Sequence, residues 1–413
     1  MIIEDIVKQH AEDAAFLWHL RNKAVSRPDY DLKDLAELDG RVEAHLDGLR
    51  VAGDAGMTIC TEALNTGEAG EVFTAAVLSF EGGDDAGIRA VLEAAAEKPE
   101  IRRGVVSALG WLPFEQAEPH IGRILAEESP FLRDIGLAAC IAHRQDPGQP
   151  LKDALTDKAP LLKARALEAV GHLGRADLLH FPRLNLTAED ELCSFNAAWS
   201  AALLGDAGSI ATLKTFARPD WRWWEEAMKV VLRRMTPSSA LGWQMELASN
   251  PDNERLAVIG AGVIGDPVLV PWLIERMKTP ELARLAGGAL SMITGVDIAQ
   301  EDLEGNRPEG FEAGPTDDPE DENVDMDPDE DLPWPNPELA ISWWGKNMER
   351  FKSGNRYLLG LPITEENLRQ VLRTGSQRQR YAAALELVMI KPGQPLFEVR
   401  APGGRQKKLL ELK

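Results

Sequence analysis

The chain is short of cysteine, of tyrosine and of long apolar runs. Three cysteines (Cys60, Cys140, Cys193) in 413 residues are too few and too scattered for a disulfide framework, and no Cys-x-x-Cys pair offers zinc ligands. No uncharged apolar stretch approaches the ~18–20 residues that a membrane-spanning helix needs, which argues against a membrane partner. The N-terminus, Met1-Ile2-Ile3-Glu4-Asp5, meets acid at once and has no basic region followed by an apolar one, so a cytoplasmic location is expected. Alternating β-branched runs are nearly absent; Leu396-Phe397-Glu398-Val399 is the one candidate strand.

Signatures of chemistry are equally scarce. There is no HExxH, no GxSxG, no phosphate-cradling GxxxxGK[ST] and no GxGxxG opening a helix after a strand. The seven histidines (His10, His19, His45, His120, His143, His172, His180) are scattered. His10 and His19 are too far apart for one helical turn, and His45 with Asp39 or Asp47 reads as a capping or packing pair. The cysteines sit in apolar helical settings, where buried inert thiols are the rule. A non-enzyme is expected, with no catalytic residue, no cofactor and no bound metal.

Acid, by contrast, is abundant and unevenly placed. The net charge is −22. Between Asp297 and Asp331 sixteen acids face one base, Arg307, a local net of −15; subtracting this leaves −7 for the other 378 residues. This segment is rich in Pro and Gly and poor in large apolar residues, so a mobile insertion is expected. Its run Asp325-Met326-Asp327-Pro328-Asp329 lacks the glycine and the terminal bidentate Glu of an EF-hand loop, which argues against a built calcium site. The tail from Lys391 carries six bases and two acids, and its docking on the insertion is one expectation.

Internal repetition organises most of the rest. A proline, a short spacer and a basic residue lead into a small-residue-rich apolar stretch at Pro99/Arg102, Pro130/Arg133, Pro160/Lys163, Pro251/Arg255 and Pro280/Arg284. The proline spacings are 31, 30, 91 and 29 residues, and 91 is close to three periods. The two missing units fall at Ala188-Glu189-Asp190 and Pro219-Asp220. Proline suits the first helical turn, and small residues let a helix approach its neighbours closely. Gly205-Asp206 and Gly265-Asp266 read as a helix-ending glycine followed by the cap of the next helix. Two helices per ~30 residues predict an α-solenoid, each unit burying its apolar face against its neighbours. Longer helices are predicted at 3–26 and 32–52, the second with an Asp31 or Asp34 cap and an apolar face at 35, 38, 42, 46 and 49. Pro337 should start a helix through Phe351, with a last pair at Thr364–Arg373 and Gln377–Met389.

These units resemble HEAT repeats, whose second helix typically carries this proline, this basic residue and a terminal Leu-Gly-Asp. The ends carry a closer likeness. Leu38-Asp39-Gly40-Arg41, Ala44-His45-Leu46-Asp47-Gly48-Leu49 and Gly70-Glu71-Val72-Phe73 look like a bacterial HEAT-repeat family whose members tend to be encoded in type VI secretion gene clusters. So do Trp343-Trp344, Arg356-Tyr357, Gly360-Leu361-Pro362-Ile363-Thr364, Gln377-Arg378-Gln379-Arg380 and Pro395-Leu396-Phe397-Glu398-Val399-Arg400-Ala401-Pro402. The resemblance brings no catalytic residues and lacks the His-Glu dipeptides of di-iron HEAT-repeat hydroxylases. It implies an all-α fold: an N-terminal helical cap (1–52), HEAT-like repeats (53–296), the acidic insertion (297–336), a C-terminal helical repeat or cap (337–390) and the basic tail (391–413).

Partner-binding candidates follow from residue type. Trp221, Trp223 and Trp224, at the start of a predicted second helix, cannot all face inward, and exposed Trp beside Arg222 is the composition of an interface hot spot. Trp334, Trp343 and Trp344 are expected to pack beneath the acidic segment. Arg102, Arg133, Arg255 and Arg284, with Arg103, Lys163 and Arg165, would sit at equivalent heights of successive helices, either tracking phosphates or pairing with acids of adjacent units. The −7 body favours pairing and argues against nucleic acid. The expected function is a protein-binding adaptor or chaperone-like factor for a type VI secretion effector or spike-tip protein. The alternatives are an immunity protein against a toxin and a HEAT-like DNA glycosylase.

Overall fold

The computed structural model describes residues 3–314 and 326–412. Among the described residues it is all-α: 22 helices, 69% helical, and the named strands are one short pair, Tyr357–Leu358 against Leu361–Pro362. The predicted strand at Leu396–Val399 does not form, because the Leu396 amide donates to the His172 carbonyl at a helix end (2.9 Å).

Local signals place most helix starts. Asp31 and Asp34 close a reciprocal capping box ahead of Leu32–Ala52, whose Leu35, Leu38, Val42, Leu46 and Leu49 are all buried. Pro130, Pro160 and Pro280 open their helices directly, whereas Pro99 and Pro251 open 3₁₀ turns that lead into Arg102–Trp111 and Glu254–Ile264. Gly265 ends its helix with φ +73°, and the Asp266 carboxylate accepts from the Val268 amide at 3.0 Å. Asp206 departs from this expectation: its carboxylate takes Arg183 at 2.7 Å.

The chain divides into two units: Met1–Ser26 with Tyr30–Leu213 and Lys391–Lys413, and Arg27–Asp29 with Lys214–Ile390. The division falls inside the helix Ser209–Thr215.

In the first unit, helices Glu4–Ala24, Ala69–Gly82, Arg102–Trp111, Pro130–His143, Pro160–His172 and Glu191–Leu203 each pack on the next. Asp85–Glu97, Phe114–Leu125, Gln149–Leu155 and His180–Leu184 lie alongside them. Small residues set the spacing: a Cβ on Gly104 would fall 2.4 Å from the Ala69 carbonyl oxygen. The basic tail is part of this unit. Its Leu396, Val399, Ala401 and Leu410 are buried, and the helix Gly403–Leu409 packs on Leu32–Ala52. Arg21 ties it down, donating to Asp39 at 2.8 Å and to the Ala401 carbonyl at 3.1 Å. Four spaced apolar side chains seat the tail within this unit.

In the second unit, Trp224–Arg234, Glu254–Ile264 and Pro280–Thr294 pack in series. Gln377–Ile390 lies against Glu365–Thr374 and Trp224–Arg234, with Arg233 buried on Glu386 at 2.8 Å. The described parts of the acidic insertion are mostly exposed and are anchored at a few points. Ile298, Leu303 and Leu332 are buried, and Gly305 and Asn336 donate to the carbonyls of Trp334 (2.8 Å) and Leu303 (2.7 Å). Residues 315–325, including Asp317-Asp318-Pro319-Glu320-Asp321-Glu322 and Asp325, lie outside the described residues.

Candidate interaction surfaces

The arginine series of the first unit is built around Asp134. This carboxylate is fully buried on Pro130–His143, with Arg165 Nε at 2.9 Å and Arg102 Nη1 at 3.3 Å from its two oxygens. Arg165 also reaches Glu168 at 2.6 Å. Burial would push the Glu168 carboxyl up, but Arg165 and His172 outweigh it and hold the group at about 2. Arg133 pairs with Asp157 at 2.9 Å, and Arg103 lies over the Trp18 ring at 5.7 Å. Arg102, Arg133 and Arg165 are therefore compensated by carboxylates, which is the pairing arrangement.

In the second unit the partners come from the acidic segment. Arg255 grips Asp329 through both terminal nitrogens (2.7 and 2.8 Å), while Asp329 is buried. The pairing draws the Arg255 guanidinium further up, Asp329 being the largest cause. Arg284, also buried, pairs with Asp327, and its guanidinium stacks 4.5 Å from Trp334 and 6.0 Å from Phe311. Asp327 and Asp329 are thus committed to arginines. Among the described residues no group of three His, Cys, Asp or Glu side chains could hold a metal ion.

The tryptophan cluster differs from its helical reading. The helix begins at Trp224, and Trp221–Trp223 form the turn before it, with Trp221 N donating to Arg218 O (3.0 Å) and Trp224 N to Trp221 O (3.1 Å). Residues 221 and 224 therefore share no helical face. Trp221 packs at a tilt on Phe216 at 5.1 Å and meets Trp223 edge-on at 6.1 Å, while exposed Arg222 lies over Trp223 at 5.0 Å. All three indoles are half-buried.

No family model matches this chain, and no curated protein does.

Cys60, Cys140 and Cys193 are buried thiols that burial pushes up to about 12. His45 does not pair with Asp39 or Asp47: it sits 3.2 Å from His10 and 3.7 Å from Asp13, while Asp39 is held by Arg21.

One surface was missed by sequence reasoning. On the helix Pro337–Asn347 and the turn after it, Leu339, Ile341 and Met348 are 41%, 53% and 51% exposed. Trp343 and Trp344, expected to pack beneath the acidic segment, are only half-buried, as is Trp334. Ala340 is the one buried residue of that helix. The signal was in the spacing, since apolar residues at 339, 341, 343, 344 and 348 occupy more of a helix than one neighbour can cover.

Proposed function

We propose that the protein is a non-catalytic, protein-binding scaffold whose helix pairs stack as a HEAT-like α-solenoid, capped by helices at both ends. The nearest-neighbour order of packing within each unit supports the solenoid reading. The observation that carries the binding reading is the exposure of Leu339, Ile341 and Met348 on and just after Pro337–Asn347, with half-buried aromatic side chains beside Arg222 as a second anchor. Clustered exposed apolar and aromatic residues mark association surfaces, because their transfer from water drives binding while Trp and Arg supply its specificity.

The setting we propose is a cytoplasmic accessory factor of type VI secretion, holding an effector or spike-tip protein before loading. An immunity protein that blocks a toxin is the second reading. It is favoured by the exposed acids of the described acidic segment, Glu301, Asp302, Glu309 and Glu312, which would offer carboxylates to a basic active site. Affinity capture from the native host tests the scaffold. One protein should be retained by the native chain and lost by Trp223→Ala and Ile341→Asp, with thermal unfolding nearly unchanged. Retention by both variants, or equal loss of folding, overturns the reading. Rescue of cells from one toxin expressed alone would select immunity over an adaptor.

A further inference from the structure

The acidic segment is fixed in two different ways. Residues 303–305 and 334–336 are joined by backbone hydrogen bonds and by the isolated bridge Glu304–Pro335. The run 326–331 instead turns on itself, Glu330 and Leu332 donating to the carbonyls of Asp327 and Asp329 (3.2 and 2.9 Å). It reaches the rest of the unit through carboxylates: Asp327 to Arg284, Asp329 to Arg255 and Asp331 to Arg27. Behind it Arg284 stays stacked on Trp334, which the backbone pairs hold in place. Arg255, Glu281, Arg284, Phe311, Asp327 and Asp329 line one groove.

We propose that Arg255 and Arg284 of this groove form a binding site for acidic peptide segments of a partner protein, and that Asp327 and Asp329 occupy these arginines as an internal competitor. The inference rests on the protein-binding reading and names the chemistry of one of its ligands. Two carboxylates two residues apart, one taken bidentately and one by a guanidinium braced on an indole, define the motif. Glu281 in the same groove disfavours a continuous polyanion, so a peptide with spaced charges fits better than a nucleic-acid backbone. A tethered occupant acts at an effective concentration of about millimolar. It therefore masks the site from weak acidic segments and yields only to a better or multivalent one.

The test uses the full chain and a fluorescent peptide, Met-Asp-Pro-Asp-Glu-Asp, the sequence of residues 326–331. Its anisotropy should rise little with the native protein. With Asp327→Asn/Asp329→Asn the peptide should bind about tenfold or more tightly, because the internal competitor is disabled. Binding should weaken with salt and vanish when Arg255→Ala is added. Asp329→Asn alone keeps the test alive if the double variant does not fold, since Arg255 is 35% exposed and its charge can be solvated. Equal binding by native and variant proteins, or none by a folded variant, overturns the proposal. So does tighter binding of a single-stranded oligonucleotide of equal charge. Client capture lost in Ile341→Asp while peptide binding persists tests the scaffold alone; the converse result removes only this site.

Discussion

His143 shows what a single side chain gains from neighbours far along the chain. Its Nε2 lies 2.8 Å from the Leu109 carbonyl, and burial, then the charge of Arg405, pushes the imidazole down from 6.5 to about 4. The folded state thus binds fewer protons than the unfolded chain between those values. The stability this group contributes is complete above pH 6.5 and is lost as pH falls through about 4. Glu168, held at about 2 against 4.5, adds a loss of the same sign at lower pH. His143→Gln, which keeps a donor for Leu109, should flatten the dependence of the denaturation midpoint on pH between 6.5 and 4 while leaving the steeper fall below 4. Urea titrations at a series of pH values check this, and an unchanged slope would mean that His143 is not the titrating group. None of this was legible in the sequence. The helix carrying His143 was, but Arg405 lies in a tail that composition alone presented as a charged appendage.

At the scale of elements, the helices that were read correctly are those whose ends carry their own chemistry. Asp31, Ser129, Asp190 and Thr364 cap the helices they precede, and proline marks further starts, because these residues act on backbone groups within a few positions. Trp224 was misjudged because the turn before it is set by indole packing on Phe216, which no local rule anticipates. The small-residue pattern was legible as close approach, and one position makes it quantitative. A Cβ on Gly171 would fall 2.8 Å from Ser200 Cα and 2.5 Å from the Ser200 hydroxyl, which donates to the Leu167 carbonyl at 2.7 Å. Gly171→Ala should therefore force Pro160–His172 and Glu191–Leu203 apart and cost about 1–3 kcal/mol, despite the better helix propensity of alanine. Chemical denaturation gives the number. A stabilised protein would mean that the two helices have slack.

Over the whole molecule, the ~30-residue period carried the all-α fold, but it could not show which segments of the chain pack together as one unit. The division inside Ser209–Thr215 interrupts the repeat run with no composition shift to mark it, because the residues that decide it come from either end of the sequence. The chain leaves the first unit at Leu213 and re-enters at Lys391, bringing back Leu396, Val399 and Leu410 as buried groups. Glu398 returns with them and pairs with Arg144 at 3.1 Å. Each buried apolar side chain of this kind stabilises by about 1.5–3 kcal/mol, so residues 1–213 alone lack a substantial part of their interior. A peptide of residues 391–413 added in trans should raise the thermal midpoint of the 1–213 fragment, increasingly with peptide concentration, as binding to the native state alone requires. The same peptide with Leu396→Asp should have no effect, since Leu396 is 1% exposed and a carboxylate there would be buried without a partner. A midpoint indifferent to the native peptide would place the cohesion of the first unit wholly within its helix series and reduce the returning segment to a surface attachment.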